Sequence, residues 1–381
     1  MARALYIHWP FCLQKCPYCD FNSHVREGVD AGAWQAALIA DMRHEAELAG
    51  GEALESVFFG GGTPSLMPPA LVAALLAVAE RLWGFARGIE ITLEANPSSV
   101  EAANFAVLAG AGVNRVSLGL QALDDETLRF LGRLHSAEEG LTALRTAQEA
   151  FARVSFDLIY ARPGQTPAQW ERELGRALGF GTGHLSLYQL TIEANTRFAT
   201  DLRQGAFEPL ADDPAADLFE LTRERTTAAG LPAYEVSNHA RPGEESRHNL
   251  AYWRYQDYVG IGPGAHGRRG GMATRRHRKP ENFLAAVGRN GHGLSEERAL
   301  NPREQAAEAL LMGLRLREGV DPAALAGRFG VGVVIEPHKL ALHESLGLVW
   351  TASERIGVTP QGMPVLDALL GELVPDALAA A

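Results

Sequence analysis

Three cysteines near the start of the chain are the residues whose types and spacing point most clearly to chemistry. Cys12, Cys16 and Cys19 follow the pattern Cys-x3-Cys-x2-Cys, and the 381-residue chain has no other cysteine. An odd, clustered set of thiols is typical of a metal site and not of disulfide bridges. Iron–sulfur clusters usually take four cysteines. Three thiolates on one tight loop could therefore hold three corners of a [4Fe-4S] cluster and leave the fourth iron open to an outside ligand.

Two other interpretations of the cysteines compete with an open cluster. Structural zinc usually has four protein ligands, so zinc would need a histidine such as His8 or His24 in addition to the thiols. The second alternative is three buried cysteines that bind no metal. We favour the cluster, because such close grouping departs from ordinary cysteine use.

The elements that must position this loop alternate between short β-rich runs and longer helical patterns. Six successive βα units predict an α/β fold with a parallel sheet, because parallel strands need crossovers and helices are the usual crossover. The predicted strands are Ala4–His8, Ser56–Phe59, Ile89–Glu94, Arg115–Leu118, Val154–Ile159 and His184–Leu190. The predicted helices are Ala33–Leu48, Pro69–Trp83, Val100–Leu108, Ala137–Phe151, Pro167–Leu178 and Pro214–Ala229.

The rest of the chain predicts two further parts. Residues 238–279 are rich in Gly, Arg, His and aromatic residues without a helical period, which predicts a long connecting segment. Helices followed by a small hairpin then predict a winged-helix-like α+β domain. Its predicted elements are Arg303–Arg317, Pro322–Phe329, Pro337–Ser345, Gly347–Trp350, Ile356–Thr359 and Val365–Val374. We therefore divide the chain into a barrel domain (1–237), a connecting segment (238–300) and a C-terminal domain (301–381).

Composition and charge limit the function classes. The chain has 46% hydrophobic and 21% charged residues, which excludes wholesale disorder, collagen-like repeats and small disulfide scaffolds. The formal net charge of −11 argues against a nucleic-acid partner, which needs excess Lys and Arg. The first nine residues lack the apolar core of a secretory signal, because His8 interrupts it. We expect a cytoplasmic protein.

The cysteine spacing, placed after a strand at the start of a parallel βα domain, resembles the radical S-adenosylmethionine superfamily. The resemblance implies that the amino and carboxylate groups of S-adenosylmethionine bind the open iron. It also implies that the reduced cluster gives one electron to the sulfonium, which releases a 5′-deoxyadenosyl radical. Tyr18, the aromatic residue before the third cysteine, matches the position that borders the adenine.

Motifs at the predicted strand ends, where ligands of parallel sheets gather, resemble the oxygen-independent coproporphyrinogen oxidase-like family. They are Tyr6–Cys12, Gly60–Ser65, Glu94–Pro97, Val116–Gln121, Leu131–His135 and Asp157–Thr166. The resemblance spans nearly the whole chain and implies a partial (β/α)6 barrel. The residues that it implies for S-adenosylmethionine are Tyr6, Gly61, Gly62, Thr63, Glu94, Gln121, Arg133 and Asp157. Arg162 departs from the pattern, because the family usually has Gly-Leu-Pro-Gly where this chain has Ala-Arg-Pro-Gly.

One position separates two branches of this family. The decarboxylating oxidase carries a further cysteine two residues after the third, where this chain has Phe21. We also expect no N-terminal arm of the kind seen in the oxidase. Both features resemble the haem-chaperone branch, whose members bind haem and deliver it to acceptor proteins. The alternative activity is radical oxidative decarboxylation of coproporphyrinogen III propionates to vinyl groups, and the sequence indicates no particular catalytic residue for it.

The run from His248 to Trp253, His-Asn-Leu-Ala-Tyr-Trp, matches a motif linked to haem in the chaperone branch. His248 offers an imidazole for iron, with His266 as the second choice, while Tyr252 and Trp253 offer flat faces for a porphyrin. A histidine that only caps a loop is the alternative.

A basic run follows this motif. Arg268–Arg269 and Arg275–Lys279 could meet haem propionates, an acidic acceptor or a membrane surface, or could form a solvated loop. An electron donor such as flavodoxin or ferredoxin and a peripheral membrane contact complete the expected partners.

Overall fold

The strands that the alternating pattern predicts form the centre of one large sheet in a computed structural model, which describes residues 3–26, 28–50 and 52–375. Over these residues the strands are β1 (Ala4–Trp9), β2 (Phe11–Cys12), β3 (His24–Val25), β4 (Leu54–Gly61), β5 (Phe85–Ala95), β6 (Arg115–Gln121), β7 (Arg153–Tyr160), β8 (His184–Gln189), β9 (Asn238–Ala240), β10 (Tyr258–Ile261), β11 (His266–Arg269), β12 (Met272–Arg276), β13 (Leu294–Ala299), β14 (Val349–Ala352) and β15 (Arg355–Val358).

The helices lie mainly between these strands and use ordinary start signals. Ser136 with Glu139, Thr166 with Gln169 and Asn301 with Glu304 form capping boxes at three N-termini. The helices are α1 (Ala31–Ala49), α2 (Pro69–Trp83), α3 (Ser99–Ala102), α4 (Phe105–Gly110), α5 (Asp125–Phe130), α6 (Ala137–Ala150), α7 (Pro167–Leu178), α8 (Arg197–Arg203), α9 (Asp212–Ala228), α10 (Arg247–Trp253), α11 (Pro280–Asn290), α12 (Pro302–Gly313), α13 (Pro322–Phe329), α14 (Pro337–Ser345) and α15 (Leu366–Leu373). The predicted helix Val100–Leu108 is thus two short helices, α3 and α4.

The sheet order is β13-β12-β11-β10-β1-β4-β5-β6-β7-β8-β9 among the described strands. All six predicted strands form and pair in parallel, in chain order, with helices between them. β10 adds a seventh parallel strand beside β1, and antiparallel strands flank this central part on both sides. The order does not close on itself, and the predicted α/β fold built on a parallel sheet is confirmed.

Strand alternation separates an apolar outer face from a polar inner face. Leu5 and Ile7 of β1 are fully buried in the main core, while Tyr6 and His8 point to the other side of the sheet. Likewise, Phe156 of β7 is buried in the main core, whereas the next residue, Asp157, faces the cavity on the inner side. The inner face therefore supplies polar side chains at the carboxyl ends of the parallel strands.

Residues 238–279, predicted as a long connecting segment without a helical period, contain regular elements. This segment holds β9 to β12 and α10. Its strand pattern is hidden because arginines occupy buried positions: Arg276 is fully buried against Asp41 and Glu45 of α1, and Arg269 pairs with Glu45. A hydrophobic-period argument cannot recognise a strand whose inward residues are ion-paired arginines.

The C-terminal part has its own core and the elements that the sequence predicts. α13 and α14 have the predicted bounds, the hairpin β14–β15 forms, and α12 ends at Gly313, four residues before the predicted end. Leu310, Val349, Ile356 and Leu370 pack in a cluster separate from the barrel core. The division at residues 237 and 300 stays a prediction. No described helix is long and apolar enough to cross a membrane.

Candidate cofactor site

The cysteine loop lies over the carboxyl ends of β1 and β4. It runs from Cys12, the last residue of β2, towards β3, and backbone bonds join it to the glycine turn after β4: the Thr63 amide donates to the Phe11 carbonyl at 2.9 Å. Cys12, Cys16 and Cys19 are all partly exposed and line one cavity. We call this cavity, with the three thiols on its wall, the cluster cavity.

Two thiols of the loop receive hydrogen bonds from other elements. The Thr63 hydroxyl donates to Cys12 Sγ at 3.4 Å, and Arg133 Nη1 donates to Cys16 Sγ at 3.2 Å. Burial raises the pKa of the Cys12 and Cys19 thiols. Without a metal these thiols are therefore neutral, whereas a bound metal would deprotonate them and the two donors would stabilise the resulting negative charge.

The donor set fits a cluster with an open iron better than it fits zinc. Both ring nitrogens of His8 are hydrogen-bonded: Nδ1 lies 3.0 Å from the Tyr6 hydroxyl, and Nε2 lies 2.9 Å from the Asn22 carbonyl. Neither His8 nor His24 lines the cluster cavity. Within the described ranges, no three His, Cys, Asp or Glu side chains lie close enough together to coordinate a single metal ion. The three thiols line the same cavity without converging on one point. Ligation by the three cysteines stays a prediction.

Eight of the nine residues predicted for S-adenosylmethionine surround the same cavity. They are Tyr18, Gly61, Gly62, Thr63, Glu94, Gln121, Arg133 and Asp157. Tyr6 lies outside it, on the wall of a neighbouring cavity. Asn96, Ser117 and Gly119 also line the cluster cavity. These three residues were not predicted as site residues. Asn96 belongs to the motif Glu94–Pro97 at the end of β5, and Ser117 and Gly119 belong to the motif Val116–Gln121 in β6.

Local geometry explains several of these positions. Gln121 ends β6 with φ of 71°, a left-handed conformation that costs a non-glycine residue free energy and is common at functional sites. Arg133 is held by the Asn96 side chain at 2.6 Å and the Gly119 carbonyl at 2.9 Å. Its Nε is buried with no hydrogen-bond partner among the described residues, so the guanidinium retains a donor for a ligand.

The two inner carboxyl groups hold protons more tightly than usual. Burial, with a smaller contribution from Asp157, raises the pKa of Glu94 to about 8, and burial raises the pKa of Asp157 to about 6. The Gly61 amide donates to Glu94 at 3.2 Å, and the Ser117 hydroxyl donates to Asp157 at 3.2 Å. A cationic ligand is the natural partner here, because it would favour ionisation of both groups.

His248, the first choice for haem iron, lies in the packing between β4 and α10. Its Nδ1 is 3.1 Å from the Ser56 hydroxyl, its Nε2 is 3.0 Å from the Tyr252 hydroxyl, and its ring stacks on Phe58. The side chain is 1% exposed, and burial lowers the pKa of His248 to about 3. In this arrangement His248 positions Tyr252 and does not face open space.

A second cavity of about 560 Å³ opens beside the first, and we call it the mouth cavity. It shares Phe21, Gly61 and Glu94 with the cluster cavity. The remainder of its wall comprises Tyr6, His8, Asn22, Tyr252, Tyr258, Gly264, His266, Arg275 and Arg278. Trp253 does not reach it; with Tyr252 it lines a third cavity of about 1110 Å³ between the barrel and the C-terminal domain, the interdomain cavity.

Some arginines of the basic run are buried against other residues, and others are exposed. Arg269 and Arg276 are in buried ion pairs, and the Arg268 guanidinium lies 3.5 Å from the ring centre of Tyr255. Arg275 and Arg278 remain exposed on the mouth cavity. The run therefore does not form one continuous basic patch.

Arg162, the departure from the family pattern, is neutralised within the protein. It is 8% exposed and its Nη2 lies 2.5 Å from Glu173 of α7. This pair lines a cavity between α5 and α7 that contains none of the cysteines. The added charge therefore does not face the cluster cavity.

A partial βα barrel with a three-cysteine loop over its strand ends defines the radical S-adenosylmethionine class. The Radical SAM superfamily model matches residues 6–176 and the HemN C-terminal domain model matches residues 300–365. The chain is 37% identical over 380 residues to "Heme chaperone HemW" of Escherichia coli, covering 96% of this chain and 97% of that protein. It is also 40% identical over 391 residues to mouse "Radical S-adenosyl methionine domain-containing protein 1, mitochondrial", covering 98% and 87% of the two chains. The chain belongs to the HemW family of this superfamily.

A solved structure supports the fold. The coproporphyrinogen III oxidase HemN from Escherichia coli aligns with a TM-score of 0.80 at 23% identity, covering 97% of this chain and 89% of that one. As a member of the superfamily, the protein has a [4Fe-4S] cluster and S-adenosylmethionine as its cofactors. The cluster cavity, with three thiols, a buried arginine and two carboxyl groups of raised pKa, is the site that fits them.

Binding of S-adenosylmethionine is expected to strengthen as the pH rises from 6 to 8. Pairing with the cationic ligand requires Glu94 to lose its proton, which its pKa of about 8 otherwise retains at neutral pH. Affinity should therefore rise by up to about tenfold per pH unit below 8 and level off above it. His8, with a pKa of about 4, does not titrate in this window.

Calorimetry in two buffers of different ionisation enthalpy measures both the affinity and the proton released. Glu94→Gln should flatten the profile between pH 7 and 8 and leave the rise near pH 6 that Asp157 contributes. A wild-type affinity that does not change over this range, without proton release, would contradict the role of Glu94.

Proposed function

We propose that the protein is a haem chaperone, which binds haem and delivers it to acceptor proteins in the cytoplasm. Support comes from the curated HemW relatives, which match over nearly their whole lengths. The structural observation that carries the proposal is Phe21. It is 61% exposed at the junction of the cluster and mouth cavities, where the resemblance places a cysteine in the decarboxylating oxidase. An exposed aromatic ring there offers an apolar face to a flat ligand and no thiol.

The residues of the cluster cavity suit the binding of both cofactors. When bound, the reduced cluster supplies one electron to the sulfonium of S-adenosylmethionine. Cys12, Cys16 and Cys19 would hold the cluster, with Thr63 and Arg133 stabilising the thiolates through their hydrogen bonds. Glu94, whose pKa is about 8, would release a proton to pair with the cationic ligand, and Asp157, whose pKa is about 6, would pair with it as a carboxylate. The Gly61–Thr63 turn would place backbone close to the ligand.

The proposal includes two further partners, an electron donor for the cluster and a membrane surface. Reduction of the cluster requires a one-electron donor such as flavodoxin or ferredoxin. Peripheral membrane contact would depend on few basic groups, because Arg269 and Arg276 are engaged in buried pairs. The exposed Arg275 and Arg278 suit haem propionates better than a lipid surface.

Anaerobic assays separate the chaperone from the oxidase. Reconstituted, reduced protein is supplied with S-adenosylmethionine and either haemin or coproporphyrinogen III. We expect stable haem binding, transfer of haem to an acceptor apoprotein and no protoporphyrinogen. Steady formation of protoporphyrinogen without haem transfer would overturn the proposal in favour of the oxidase.

A further inference from the structure

The mouth cavity contains an accessible imidazole beside two guanidinium groups. His266 begins β11 and pairs directly with Arg275 of the neighbouring antiparallel strand β12. Directly opposed residues of an antiparallel pair project from the same face of the sheet, with their Cβ atoms about 5 Å apart. The next residue, Arg276, projects from the other face to the carboxylates of α1. Strand alternation thus places His266 and Arg275 together at the cavity.

His266 is the better placed of the two histidines on this wall. His8 engages both ring nitrogens with Tyr6 and Asn22, whereas the His266 side chain is exposed. Partial burial, followed by the charges of Arg275 and Arg278, lowers the pKa of His266. The imidazole is therefore neutral at physiological pH, and the neutral form is the one that ligates iron.

The remaining groups match the other features of an iron porphyrin. Arg275 and Arg278 supply two cationic groups, and the ion pair of Arg275 with Glu296 at 2.6 Å is half exposed and hence readily exchanged for another carboxylate. Tyr252 and Tyr258 provide aromatic walls, with ring centres 4.3 Å apart. The volume of about 560 Å³ lies in the range of ligand pockets.

The interdomain cavity is less suitable, although it is larger and contains Trp253. Its wall carries four acidic residues and one arginine, and that arginine, Arg315, is paired with Asp367 at 2.9 Å. The four acids are Asp212, Asp213, Glu235 and Asp367. Such a surface would repel haem propionates.

We propose that haem binds in the mouth cavity, with His266 as the iron ligand and Arg275 and Arg278 on the propionates. This inference rests on the proposed function and adds its binding site. It places haem directly beside the cluster cavity, across the shared wall of Phe21, Gly61 and Glu94. The cysteine loop also forms part of the haem site, because the Asn22 amide donates to the carbonyls of Pro263 and Arg278, each at 2.9 Å.

Haemin titration of the full-length, cluster-loaded protein tests the ligand, monitored by the Soret band and by resonance Raman spectra. His266→Ala should weaken haem binding about tenfold or more and remove the histidine–iron signature. Free imidazole should restore that signature. His338→Ala is the matched control, because His338 is an exposed histidine on α14. It should bind haem as the wild type does.

A second pair of titrations tests the propionate contacts. Arg275→Gln combined with Arg278→Gln should weaken haemin binding but leave binding of the uncharged haem dimethyl ester unchanged. Equal weakening of both ligands would overturn the propionate assignment. Unchanged affinity and spectra in His266→Ala would overturn the site while leaving the chaperone function intact. A wild-type protein that binds no haem would overturn the chaperone function itself.

Discussion

Replacing Arg276 with leucine is expected to lower the free energy of unfolding by about 3–5 kcal/mol, the usual cost of breaking a buried ion pair. The Arg276 side chain is fully buried, with Nη2 2.6 Å from Glu45 and Nε 3.2 Å from Asp41. Glu45 keeps Arg269 as a partner, but among the described residues Asp41 would retain the amides of Gly262 and Gly293 as its hydrogen-bond donors and no cation bonded to it. A buried carboxylate without a cationic partner is strongly unfavourable. Urea unfolding followed by circular dichroism measures the loss.

Arg275→Leu is the matched control, because it removes the adjacent arginine of the same strand. Arg275 pairs with Glu296 at the surface, and both side chains are about half exposed. Exposed pairs of this kind contribute about 0–1 kcal/mol. Similar losses in the two variants would mean that burial does not distinguish the two arginines. A large loss only in Arg276→Leu would show that the buried ion pairs between β12 and α1 contribute far more to stability than the exposed pair of Arg275.

The barrel and the cluster cavity were predictable because their signals are local. Apolar alternation marked the six parallel strands, and the polar residues that followed them had to meet at one edge of the sheet. Glu94 and Asp157, 63 positions apart in the chain, consequently line the same cavity. The cysteine spacing lies within eight residues and depends on no distant contact.

The haem-linked motif was less predictable because its neighbours are distant in the chain. The motif indicates an imidazole at His248, but Ser56 and Phe58 of β4 decide whether that imidazole is free, and they lie almost 200 residues away. The positions of the arginines in the basic run were hard to predict for a related reason. Whether an arginine is a surface charge or a buried strand residue depends on the acids of α1, which no pattern within residues 268–279 reveals.

Gly62→Ala is expected to prevent most of the protein from holding its cluster, although the cysteines remain. A Cβ at Gly62 would lie 2.7 Å from the Phe11 carbonyl oxygen and 3.0 Å from Cys12 Sγ. The nearest contact is backbone, so it cannot be relieved by a side-chain rotation, and the cysteine loop must shift. Displacement of groups that orient a metal ligand typically lowers metal affinity about 10- to 100-fold. Iron and sulfide analysis after anaerobic reconstitution measures the effect, with about four irons per chain expected in the wild type.

Gly110→Ala provides the control for the added methyl group. Gly110 ends α4, and a Cβ there would meet nothing within 4 Å, so alanine should be neutral or slightly stabilising. Cys12→Ser gives the iron and sulfide content expected when one cysteine ligand of the cluster is lost. Circular dichroism must show that Gly62→Ala is folded, since the argument concerns the loop and not the barrel. If folded Gly62→Ala takes up iron and sulfide like the wild type, the close approach of the glycine turn to the cysteine loop is not what positions Cys12 for the cluster.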